Sequence, residues 1–95
     1  MVEKITQTQR LEKIYLNIEN VKSLPEEQSV ANKLDLMEML VFFRSADKEN
    51  IILLSTVQDE EEITREEMLE IEKTMPLIKF TIQQLELKLE VYYLD

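Results

Sequence analysis

TREEMLEIEKTMPLIKFTIQQLELKLEVYYL, residues 64–94, decides the fold. Met68, Ile71, Met75, Ile78, Ile82, Leu85, Leu89 and Tyr92 follow one another at alternating steps of three and four, which is a heptad seam. A second apolar line, Leu77, Phe80, Leu87 and Val91 with Gln84 among them, runs beside it in the C-terminal half. The same stretch also alternates with period two, from Ile78 through Phe80 to Ile82 and from Leu85 to Val91. An α+β fold with strands near 51–57 and 77–93 is therefore the alternative to weigh. Residues 77–93 hold no turn signal, so they would form a single strand about three times the usual length of ~5–6 residues. QQLELKLE is also built from strong helix formers. The stretch is read as helix.

Its start has two options. Thr64 and Glu67 have capping-box spacing, and so do Asp59 and Glu62. Pro76 removes one helical N–H and crowds the preceding turn. The apolar seam keeps its phase from Ile71 and Met75 to Ile78 and Ile82, which predicts a kink near Pro76 rather than a break. A straight helix over 64–94 would be about 46 Å long. A compact domain of this size has a diameter of roughly 30–35 Å. The overhang requires either cover from a partner, most simply a second copy, or earlier helices that wrap both apolar lines in a monomeric bundle.

Upstream, Leu11, Ile14, Ile18 and Val21 mark one face of a first helix over 2–22. Ser23 and Glu26 have capping-box spacing with Pro25 in the first turn, so a second helix is expected from there to about Ser45. It carries two stripes, Val30, Leu34, Met37 and Val41 in one, Leu36, Leu40 and Phe43 in the other. SADKEN, residues 45–50, reads as a turn, and IILLSTV, residues 51–57, as a short separate helix. The expectation is a single all-α domain over 1–95: three long helices and a short one in a small bundle.

Composition narrows the chemistry. Gly, His, Cys and Trp are all absent from the 95 residues. Without Gly, neither phosphate loops nor type I′ hairpins are available. Without His or Cys, the usual general base, thiolate nucleophile and zinc ligands are missing. Neither a catalytic residue nor a cofactor is expected. Met37, Met39, Met68 and Met75 read as core fillers, and the tyrosines as aromatics at the edge of the core. The opening MVEKITQTQR lacks the apolar centre of a signal peptide, and no apolar run exceeds the five residues of Met39–Phe43. A cytoplasmic location, away from membranes, is expected.

The net charge of −9 is concentrated. Residues 59–72 hold eight acids and one base, residues 1–58 nine acids and seven bases, and residues 73–95 three of each. Such a surface disfavours direct contact with nucleic acid, which needs positive charge. Part of the cluster is explained by the positive end of a helix, which acids in the first turn stabilise by about 0.3–1 kcal/mol each. Glu62, Glu66 and Glu70 lie four apart and repel. Together with Glu67 they form an acidic ridge suited to a basic partner. Calcium binding is disfavoured, since DEEE lacks the glycine and the alternation of a calcium loop.

The expected function is a non-catalytic protein–protein interaction module: a small regulator or inhibitor of a basic partner, with Leu77, Phe80, Leu87 and Val91 serving self-association or partner contact. The alternatives are a structural subunit or assembly chaperone working through its apolar helix faces, and an inhibitor that imitates nucleic acid.

Overall fold

The computed structural model describes residues 7–25, 29–56 and 64–92. They form three helices, α1 (Gln7–Lys22), α2 (Val30–Thr56) and α3 (Arg65–Glu90). Arg10 and Lys13 of α1 meet Asn50 and Phe42 of α2, so these two helices run antiparallel. Asn50 meets Thr74 while Arg44 meets Glu86, which makes α2 and α3 antiparallel as well. The third pair, α1 and α3, is consequently parallel. The radius of gyration is 15.4 Å and the extents are 51 × 27 × 19 Å. A compact chain of this length would have a radius of roughly 12–13 Å, so the bundle is elongated along its two long helices.

The core is one stripe from each helix: Leu11, Ile14, Ile18 and Val21; Leu36, Leu40, Phe43 and Ala46; Ile71, Ile78, Leu85 and Leu89. Each large apolar side chain fully buried here contributes about 1.5–3 kcal/mol. The predicted stripe of α1 is buried, and of the predicted seam of α3 Ile71, Ile78, Leu85 and Leu89 are buried while Tyr92 is half-buried. On α3 the centre of the stripe is Ile71, Ile78 and Leu85, one heptad apart, with Met68, Met75 and Ile82 half-buried beside it.

The second helix departs from expectation in several ways. It begins at Val30, where the Ser29 hydroxyl accepts from the Asn32 N–H at 3.1 Å, rather than at Ser23. Pro25 lies before the helix, and Glu26 lies outside the described residues. At the other end, 45–50 is not a turn and 51–56 is not a separate helix. Both continue α2 to Thr56, while Val57 lies outside the described residues. The reason is tertiary. Ala46 and Asn50 extend the stripe of Leu36, Leu40 and Phe43 by steps of three and four and are buried with it. Of the two apolar stripes, Val30, Leu34, Met37 and Val41 stays exposed. Met37 is thus a surface residue, not a core filler.

No strand occurs among the described residues, so the α+β alternative fails at 51–56 and 77–92. At 77–92, a strand would have split the heptad seam that α3 buries as one face. Helix α3 runs through Pro76 without interruption, with Pro76 exposed. Its start is the downstream option. Thr64 Oγ1 accepts from the Glu67 N–H at 3.1 Å, and the Glu67 carboxylate accepts from the Thr64 N–H at 3.2 Å. The other option, Asp59 with Glu62, lies outside the described residues.

A polar chain crosses the core. Arg10 donates to Asn50 Oδ1, the Asn50 amide donates to Thr74 Oγ1 at 3.1 Å, and the Thr74 hydroxyl donates to the Ile71 carbonyl at 2.7 Å. Asn50 and Thr74 are fully buried. Arg10 also lies 3.9 Å from Glu49. Burial pulls its guanidinium below the ordinary arginine value, and the Glu49 charge acts in the opposite direction. Buried polar groups linked in this way fix helix register, because any slip leaves them without partners.

Candidate functional site

The seam between α1 and α3 carries most of the surface residues that the sequence singled out. Near the α3 N-terminus, Thr8, Leu11, Glu12 and Tyr15 of α1 face Thr64, Glu66, Glu67 and Glu70 across a groove of ≈ 310 Å³. Its floor is apolar, from Leu11 and Tyr15, and its rim is acidic. Three of the four ridge residues converge here, while Glu62 lies outside the described residues. They are not equivalent. Glu66 is exposed, Glu67 is held back by the capping box, and Glu70 pairs with Lys73 at 3.2 Å. Glu12 is an addition that periodicity does not reveal. It joins only because α1 and α3 run parallel.

Two turns further along the same seam, Ile18, Val21 and Lys22 face Leu77, Phe80, Thr81 and Gln84 around an apolar hollow of ≈ 190 Å³. Helix α1 then ends at Lys22, and Leu24 packs against the core beyond it. Past that point a third hollow, ≈ 210 Å³, lies between Leu24, Pro25 and Leu36 on one side and Lys88, Val91 and Tyr92 on the other. Of the four apolar residues selected from the sequence, Leu77 and Phe80 line the second hollow and Val91 the third, while Leu87 lines none of them and stands exposed between Phe80 and Val91 in the helical repeat. Leu77 is 43% exposed, Phe80 61%, Leu87 56% and Val91 43%. The described helices therefore leave this line open over about four turns, instead of wrapping it in the core.

The exposed α2 stripe, Val30, Leu34, Met37 and Val41, is a second apolar surface, on the side of its helix away from Leu36, Leu40 and Phe43. Among the described residues no group of three or more acidic side chains is placed to hold a metal ion, and no helix is long and apolar enough to cross a membrane.

No protein-family model, no curated protein and no solved structure matches this chain.

Proposed function

We propose that this protein is a non-catalytic interaction module, a small regulator or inhibitor that binds a basic protein surface. The observation that carries this reading is the joint exposure, on one helix, of an acidic turn at Glu66 and Glu70 and an apolar line at Leu77, Phe80, Leu87 and Val91. Charge speeds and orients the encounter, and apolar burial supplies the lasting contact. The absence of His and Cys from the sequence supports a binding role over a catalytic one. The bend expected at Pro76 belongs to the same reading, since it would tilt the Leu87–Val91 end of the line toward or away from an occupant.

A variant with Glu62, Glu66, Glu67 and Glu70 all changed to Gln tests this role. Immobilised parent protein is expected to retain basic proteins from a lysate of its native host, releasing them as salt rises. The Gln variant should lose them. Retention of the same proteins by both forms at high salt would refute the role of the acids.

A second reading has its own observation. The α2 stripe Val30, Leu34, Met37 and Val41 gives the bundle two apolar surfaces on different helices, which suits a structural subunit or assembly chaperone that touches two neighbours.

A further inference from the structure

We infer that the α1–α3 seam is the seat of a fourth helix, supplied by the partner, that is apolar over most of its length and basic at its C-terminal end. This inference rests on the basic-partner role proposed above and names the place and the form of the contact.

Three features determine the occupant. The first is the order of the hollows along α3. The acidic groove lies around Glu66 and Glu70, the apolar hollow around Phe80, and the last hollow at Val91. At a rise of about 1.5 Å per residue, the path from Glu67 to Val91 is about 36 Å, the length of a helix of about 24 residues. The second is dipole direction. α1 and α3 are the one parallel pair in the bundle, so their partial charges lie side by side with the same sign. A helix laid in their seam with the opposite direction relieves this. It also brings its negative C-terminal end to the positive N-terminal end of α3. Basic residues in that last turn are favoured by their own helix dipole and by Glu12, Glu66 and Glu70 across the groove.

The third feature is charge, which disfavours a second copy as occupant. Each chain carries −9, so self-association would bring two like-charged bodies together. Three bases stand near the path, and one of them, Lys88, lines the last hollow, at the end away from the basic turn of the occupant. Of the other two, Lys22 pairs with Glu19 at 3.3 Å and Lys73 with Glu70 at 3.2 Å, so neither offers a strong uncompensated charge against a basic occupant.

Two fluorescent helical peptides of 24 residues test the inference. Both carry the same apolar face. One has Lys and Arg in its last two turns, the other has them in its first two. The parent protein is expected to bind the C-terminally basic peptide about 10-fold tighter or more, read by anisotropy. Phe80→Asp changes an exposed side chain, and circular dichroism checks that it stays folded. It should weaken binding about 10-fold. Glu66→Gln with Glu70→Gln should weaken it by about 5-fold and flatten its salt dependence.

Equal affinity for the two peptides would overturn the orientation and with it the inference. Binding that falls in the Glu variant but not in Phe80→Asp would reject the seam as the seat while leaving the basic-partner role standing. Failure of the parent protein to bind either peptide even at low salt would reject both. Sedimentation showing a dimer that Phe80→Asp dissociates would make the second copy the occupant and overturn the assignment.

Discussion

The Asn50 amide donates to Thr74 Oγ1 at 3.1 Å, and this contact ties the C-terminal half of α2 to α3. Since Arg10 donates to the other end of the same amide, one asparagine joins all three helices. Asn50→Leu leaves Arg10 with a buried donor facing an apolar group and Thr74 without its donor. A loss of about 2–4 kcal/mol is expected, seen as a lower urea midpoint. The triple variant Arg10→Met, Asn50→Leu, Thr74→Val replaces the whole chain with apolar groups. Its midpoint should return to the parent value or exceed it. A triple variant no more stable than Asn50→Leu would show that the chain does not act as a unit.

The two buried threonines of α3 should behave differently. Thr74 takes part in the interhelix chain, whereas the Thr81 hydroxyl donates to the Leu77 carbonyl of its own helix at 2.7 Å. Thr74→Val is expected to cost about 1–2 kcal/mol, the usual penalty for stranding a buried donor. Thr81→Val removes only a second bond to a carbonyl that the helix already satisfies, and should lie within about 0.5 kcal/mol of the parent. Equal losses in thermal melts would remove the distinction.

The capping box at the start of α3 satisfies two N–H groups that the helix leaves open. Thr64→Ala is expected to cost about 1 kcal/mol. Glu67→Gln keeps an acceptor in place and should cost less. Chemical denaturation of the two variants ranks them, and the reverse order would contradict the reciprocal bonding seen between Thr64 and Glu67.

Pro76 sits on the exposed side of an uninterrupted helix, where its ring and missing N–H cost stability. Pro76→Ala should stabilise the fold by about 1–3 kcal/mol. For a domain of this size, each kcal/mol raises Tm by roughly 4–8 °C. A fall in Tm would mean that the proline geometry is required by the packing of α3.

What could be read from the sequence was set by periodicity. The steps through Ile71, Ile78, Leu85 and Leu89 suffice to identify α3 and its buried face, and those through Leu11 to Val21 do the same for α1. Local rules offer Thr64 as one of two cap positions, and the capping box forms there. Periodicity fails on α2, whose two stripes are about equally apolar. Only the presence of α1 and α3 selects Leu36, Leu40 and Phe43 over Val30, Leu34, Met37 and Val41. The misread segment at 45–50 has a clear cause. Ser, Asp and Asn favour turns on their own, yet Asn50 is held inside a helix by Arg10 and Thr74, partners 40 and 24 residues away. For the candidate site, the apolar line and the acidic turn were legible as separate features. Their alignment along one seam, and the arrival of Glu12, depend on the parallel course of α1 and α3.

Among the described residues none has a positive φ, and the C-cap Val91 is itself right-handed. The described residues that follow α1 and α3 thus include no left-handed residue to bring either helix to a sharp halt. At these two ends amide protection should therefore taper over the final turn instead of dropping at one position. Such ends can be moved by a turn through a few surface substitutions, which makes helix length the most adjustable property of this architecture.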